Sequence, residues 1–238
     1  MKKKHRKHLI TEEASWGKRI LKDDSDFTLI ESFNKIRTNI IFSMPKTDGC
    51  KLIAVTSSIP GEGKTTTTIN LSITFAKTGA KVLIIDCDLR KSRIHRYLEL
   101  TRDAGISDAI CGTVNLEDVI KPSGRENLDV ITAGVTPPNP AELLGSEGFA
   151  KILEELKGKY EYIFIDTPPV TVVADATIIA EHVAGAVIVT RRNVSTYNSL
   201  DVTVEALKSS NTKVLGFVLL DSDKKKNKYY GNEYADKE

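Results

Sequence analysis

Six short apolar runs recur along the chain, most of them separated by segments of helical periodicity. They are LIAVT (52–56), KVLIIDCD (81–88), LDVITAG (128–134), YEYIFIDTPP (160–169), AGAVIVTR (184–191) and KVLGFVLLD (213–221). Their apolar character is continuous rather than alternating, which marks strands covered on both faces. Residues 27–42, FTLIESFNKIRTNIIF, place Phe27, Ile30, Phe33, Ile36 and Ile40 at three- and four-residue spacings. That is the stripe of an amphipathic helix, and Glu31, Asn34 and Arg37 fall on its polar face. Further helices are predicted from near Lys64, over 141–159 (AELLGSEGFAKILEELKGK) and over 196–210 (TYNSLDVTVEALKSS). Strands alternating with helices predict an α/β fold with a doubly wound, mostly parallel sheet, because right-handed crossovers cover both faces. Ligands in such folds bind beyond the carboxyl ends of the strands.

Length and charge divide the 238 residues into a basic N-terminal arm (1–26), one globular domain (27–223) and a disordered, tyrosine-bearing tail (224–238). The net charge of +2 conceals an acidic body, since residues 9–223 hold 24 Lys and Arg against 29 Asp and Glu. Two readings of the basic ends stand: solvated termini, or attraction to anionic lipid at about 1 kcal/mol per basic residue. No apolar run approaches the roughly 18 residues of a membrane span, and the N-terminus lacks the apolar core and cleavage site of a signal peptide. A cytoplasmic location is expected. Cys50, Cys87 and Cys111 form no CxxC pattern, and His5, His8, His95 and His182 show no metal-ligand spacing. Basic stretches are not interleaved with aromatics, so no nucleic-acid partner is expected. Tyr97, Tyr160, Tyr162 and Tyr197 lie in ordered patterns and are expected to be packed rather than modified.

The strongest chemical signal is SIPGEGKT, residues 58–65, between a predicted strand and helix. It has the spacing of a phosphate-binding loop, with Ser58 in place of the usual first glycine. Glycines let backbone N–H groups turn inward around phosphate oxygens, and the helix points its positive end at the same charge. The residues expected around a nucleotide are Ser58, Pro60, Gly61, Glu62, Gly63, Lys64, Thr65 and Thr66, with Lys64 reaching the β- and γ-phosphates and Thr65 binding Mg²⁺. Asp86 and Asp88 end the second apolar run, and Asp166 ends the fourth. Carboxylates there can hold Mg²⁺ or its waters, and one can orient or deprotonate an attacking hydroxyl. Arg90, Lys91 and Arg93 follow; contact with phosphate or an acidic surface, and a solvated basic turn, are equally open readings.

As a set, SIPGEGKT, LIIDCDLR and YIFIDTPP resemble the Walker A, A′ and B motifs of bacterial tyrosine kinases of the Gram-positive capsule and exopolysaccharide regulators. ESFNKIRTNI, PPNPAELL (137–144) and the tyrosine-bearing tail extend the resemblance over nearly the whole chain. It implies the P-loop NTPase fold and an ATP- and Mg²⁺-dependent protein-tyrosine autokinase that regulates polysaccharide synthesis or export. Lys64, Asp86 and Asp88 would be catalytic, with Asp86 as the base toward a tyrosine hydroxyl. Thr65, Asp88 and Asp166 would hold the metal, and Tyr229, Tyr230 and Tyr234 would be autophosphorylated. The resemblance also implies a membrane adaptor that recruits and activates the kinase, protein tyrosine substrates, and a homo-oligomer, possibly a ring, formed through Glu31, Asn34 and Arg37. The chain departs from the pattern where Asn34 replaces an arginine, where Ser92 replaces a proline, and where Leu220 replaces an asparagine near the adenine. Ile59 stands where partition and division-site ATPases of the same fold class carry a second lysine. Such a switch, or a nucleotide-binding regulator without kinase activity, is the alternative.

Overall fold

The computed structural model describes residues 19–46 and 48–221. The basic run at 1–8 and the tail tyrosines Tyr229, Tyr230 and Tyr234 lie outside the described residues. In chain order the elements are α1 (Phe27–Ser43), β1 (Lys51–Ser57), α2 (Lys64–Ala76), β2 (Val82–Asp86), α3 (Ile94–Tyr97), α4 (Ile106–Ile110) and α5 (Leu116–Val119). There follow β3 (Ile120–Arg125), β4 (Leu128–Ile131), α6 (Pro140–Leu144), α7 (Glu147–Lys157), β5 (Tyr162–Asp166), α8 (Asp175–Ala180), β6 (Gly185–Arg191), α9 (Tyr197–Ser209) and β7 (Val214–Leu220).

Seven strands form one sheet in the order β3-β4-β2-β5-β1-β6-β7. Every neighbouring pair is parallel except β3–β4. Alternate residues of the central strands serve opposite cores. Ile53, Val55, Ile84 and Phe164 pack with Phe33 and Ile40 of α1 and with Ile69, Ile73 and Phe75 of α2. Leu52, Leu83, Ile85, Ile163 and Ile165 pack on the other face with Phe149, Leu153 and Leu156 of α7. Further along that face, Ala54, Ala186 and Ile188 meet Ala176 of α8 and Leu207 of α9. This two-sided burial is why the strands read as continuous apolar runs.

Three expectations needed correction. The seventh strand, β3, has the sequence IKPSGR and carries no apolar run. It is an antiparallel edge strand with a register shift between Pro122 and Arg125, a place where a missing N–H donor does little harm. The helix expected over 141–159 is two helices: Ser146 Oγ accepts from Phe149 N (3.3 Å) and donates to Leu143 O (2.7 Å), ending α6 and capping α7. In α1 only Phe33 and Ile40 of the predicted stripe are buried, and Phe27 is 56% exposed. The helix packs on α2 and the edge strand β7 rather than over the middle of the sheet, so its stripe is only partly covered.

Phe164 stands in the central strand β5 with no exposure, its ring 5.0 Å from that of Phe75. Phe164→Ala is expected to cost about 3–5 kcal/mol through the cavity left between α2 and the sheet. The check is a lower urea midpoint at an unchanged denaturant slope.

Candidate active site

β1 passes into α2 through the glycine-rich loop. Gly61 (φ 87°) and Gly63 (φ 88°) adopt the left-handed conformation that other residues avoid. Gly63 is doubly constrained, because a Cβ there would lie 2.5 Å from Leu220 Cδ1. Ser58 needs no positive φ, so glycine is not required there. Its buried hydroxyl accepts from Thr203 Oγ1 of α9 (3.0 Å), and its carbonyl accepts from Thr171 Oγ1 (2.6 Å). Glu62 is fully buried within the loop: its carboxylate accepts from Ile59 N (2.9 Å) and from the Ser195 hydroxyl. Thr66 Oγ1 donates to Gly63 O (2.8 Å). Of the residues expected around the nucleotide, Pro60, Gly61, Gly63, Lys64, Thr65 and Thr66 line a cleft of about 190 Å³, whereas Ser58 and Glu62 turn inward and hold the loop's shape.

Of the three acidic positions Asp88 lines the same cleft, while Asp86 and Asp166 lie buried at the strand ends beneath it. Asp86 and Asp166 are in register at the ends of adjacent strands β2 and β5, and both are fully buried. Asp166 Oδ2 accepts from Thr65 Oγ1 (2.7 Å) and its Oδ1 from Thr68 Oγ1 (3.3 Å). Asp88 Oδ2 accepts from Lys64 Nζ (2.8 Å). Asp86 Oδ1 accepts from Asp88 N (3.3 Å), and its Oδ2 from Arg93 N (3.2 Å) and Ile94 N (3.1 Å).

Burial, joined by repulsion from Asp166, raises the Asp86 carboxyl to about 8, although the Ile94 amide opposes the shift. Burial also raises Asp166, against the pull of Lys64 and Thr65. For Lys64 burial works downward, but Asp166 and Asp88 outweigh it and hold the ammonium above the ordinary lysine value. The site thus sets a firmly charged lysine near a buried aspartate whose proton affinity is raised.

Among the described residues no group of three His, Cys, Asp or Glu side chains is arranged as a metal cage. The donor set suits Mg²⁺ of another kind. The Thr65 hydroxyl points its proton at Asp166, leaving its oxygen lone pairs for a hard cation that takes its other oxygens from phosphate and water.

Two participants, Asp175 and Arg191, were not foreseen. Arg90 binds Asp175 of α8 in two contacts (2.9 and 3.1 Å), so its guanidinium is committed within the chain. Asp175 has no exposure; its one sequence signal is an acidic residue opening a short helix. Arg191 donates to Gly61 O (3.2 Å) and pairs with Asp221 (2.9 Å). In α1, Asn34 Nδ2 donates to Glu31 Oε1 (2.8 Å) and Arg37 donates to Thr74 O (2.6 Å), so the expected interface side chains are bonded within the chain. Tyr97 lines the cleft, Tyr160 donates to Asp129 (2.9 Å) and Tyr162 packs on Phe75. Tyr197, expected to be packed, is 90% exposed because it opens α9 at the protein surface.

A family model described as an AAA domain matches residues 50–215. The chain is 38% identical over 210 residues to a putative tyrosine-protein kinase CapB of Staphylococcus aureus, covering 87% of this chain and 92% of that protein. It is 36% identical over 201 residues to the tyrosine-protein kinase YwqD of Bacillus subtilis, covering 84% of each. Among solved structures, the chimerical protein CapA2B2 superposes with a TM-score of 0.76 at 35% identity, covering 79% of this chain and 83% of that one.

The raised Asp86 carboxyl has a consequence for stability. Below pH about 4 the side chain is protonated in both folded and unfolded states; between there and about 8 the unfolded chain releases the proton while the folded chain keeps it, so stability falls as pH rises through this window. Asp86→Asn removes that dependence. In thermal melts without nucleotide or metal, the variant is expected to gain on the wild type more at pH 8.5 than at pH 5.5. A gap that does not change with pH would argue against a buried, high-pKa carboxyl.

Proposed function

The chain belongs to the bacterial tyrosine-protein kinases, and on that premise we propose that it transfers the γ-phosphoryl group of ATP to tyrosine hydroxyls, its own Tyr229, Tyr230 and Tyr234 included. The observation that carries this reading is the cleft lined by Lys64, Thr65 and Asp88 at the carboxyl ends of the strands, with the buried Asp166 bonded to Thr65 and Asp86 in register beside it. The loop amides and Lys64 absorb phosphate charge. Asp86, oriented by the amides of Arg93 and Ile94, takes the proton of the attacking phenol; the new O–P bond forms as the bond to the β-phosphate oxygen breaks and ADP leaves. Thr65, Asp88 and Asp166 would hold Mg²⁺, which would supply further charge neutralisation on the transferring group. One of the three donors of the Lys64 ammonium goes to Asp88, which leaves two for the phosphates.

Control of polysaccharide synthesis or export, with a membrane adaptor as recruiting partner, completes the reading. No helix among the described residues is long and apolar enough to cross a membrane. We assign self-association to α1, whose exposed Phe27, Leu29, Ile41 and Phe42 offer apolar area beside Glu31, Asn34 and Arg37. The internal bonds of Asn34 and Arg37 must be exchanged for that contact to use them.

Lys64→Met is expected to lower phosphotyrosine formation by a factor of roughly 10² or more while circular dichroism stays native, since it removes a preorganised charge from the transition state. Mass spectrometry of ATP-treated protein checks this. Preserved phosphotyrosine would refute the role of Lys64, and ATP hydrolysis without phosphotyrosine, even beside the adaptor, would favour a nucleotide switch.

A further inference from the structure

We propose that Arg19, Lys91 and Arg93 form a cationic acceptor rim that selects tyrosines flanked by acidic residues, a specificity that rests on the kinase reading above. All three residues line the cleft that holds Lys64 and Asp88, and all three are exposed. Among the described residues none of them forms an ion pair. The other cations of the cleft are committed: Lys64 to Asp88, Arg90 to Asp175, and Arg191 to Asp221 and the Gly61 carbonyl.

The backbone places two of the free cations on the acceptor side. Arg93 N holds Asp86 Oδ2 at 3.2 Å, and Lys91 N holds Asp88 Oδ1 at 3.0 Å. The side chains of Lys91 and Arg93 therefore leave the same short loop whose amides orient the proton acceptor and its neighbour. A tyrosine whose hydroxyl meets Asp86 must bring its flanking residues past that loop. Acidic flanks gain attraction there, and basic flanks meet like charge. The phosphates of the nucleotide have their own partners in the glycine-rich loop and Lys64, so the rim is not needed to hold them.

The tail sequence separates these cases within one chain. Tyr234 stands in NEYADKE, with Glu233, Asp236 and Glu238 beside it, whereas Tyr229 and Tyr230 follow KKKNK. The lysines of the tail therefore work against entry at this cleft, contrary to what the acidic body as a whole implies. Tyr234 reacts first. Its phosphate adds about −1.5 to −2 charge four residues from Tyr230 and supplies the acidic flank that Tyr230 lacks. Phosphorylation then runs from the C-terminal tyrosine back toward the lysines.

The test is a time course of the full chain with ATP and Mg²⁺, read site by site by mass spectrometry. It is paired with initial rates on two synthetic acceptor peptides, residues 231–238 and residues 224–231. Phosphate is expected on Tyr234 first, and the acidic peptide is expected to lead by about fivefold in kcat/KM at low salt, as suits two or three partly screened charge contacts. In a Lys91→Glu, Arg93→Glu variant the ratio of the two peptides should fall to one or invert, a readout that a general loss of activity leaves unmoved. Salt at about 0.5 M should erase the ratio in the wild type. Tyr234→Phe should delay labelling of Tyr229 and Tyr230. Equal rates on the two peptides, labelling of Tyr229 or Tyr230 first, or a ratio that survives charge reversal overturns the rim while leaving the kinase reading intact. A variant whose KM for ATP rises with the peptide ratio unchanged assigns the rim to the nucleotide and overturns the proposal equally. Absence of phosphotyrosine at every site overturns the kinase reading together with the rim.

Discussion

Two carboxylates, Asp86 and Asp166, end adjacent parallel strands side by side and out of reach of water. Neither could sit there alone, because a buried charge beside a like charge is costly unless other groups offset it. The compensation comes from separate parts of the chain: Thr65 and Thr68 from α2, the charge of Lys64, and the amides at 88, 93 and 94. Each of those groups is positioned by its bond to a carboxylate, so the glycine-rich loop, the turn after β2 and the end of β5 form one interdependent unit. The cleft is the space that this unit leaves open.

A second set of contacts secures the loop from outside. Ser58 is tied to Thr203 and Thr171, Glu62 to Ser195, and Gly61 to Arg191. These partners come from the segment after β5, the end of β6 with the turn that follows it, and helix α9. The loop is thus held by three connections on the same edge of the sheet, and Leu220 closes against Gly63 from the end of β7. An oxygen ligand set shaped in this way orders the loop before a nucleotide arrives, which limits the entropy lost on binding.

The architecture was legible because burial on both faces of a parallel sheet forces strands to be apolar throughout, and six of the seven strands read that way, although the edge strand β7 departs from the rule and leaves Phe217 and Leu219 about half exposed. β3 was not, since an edge strand containing Pro122 and Gly124 buries little and resembles a loop. The division between α6 and α7 was hidden because Ser146 and Gly145 interrupt a pattern that is otherwise helical by spacing. The site was legible in its local motif, where Gly61, Gly63, Lys64 and Thr65 are close in sequence and obey one geometry. Asp175, Thr171, Thr203 and Ser195 were not legible, because their partners lie between 85 and 145 residues away.

By itself the sequence determined the class of fold, the phosphate-binding loop and the acidic strand ends, since each follows from short-range rules of burial, backbone conformation and charge. Only the tertiary structure decided which cations are free. Arg90 and Arg93 are close in sequence and chemically alike, and both line the cleft, yet one meets the buried Asp175 and the other has no acidic partner among the described residues. Charge in a sequence has no position until the chain folds, and a cation's role is set by which carboxylate comes within reach.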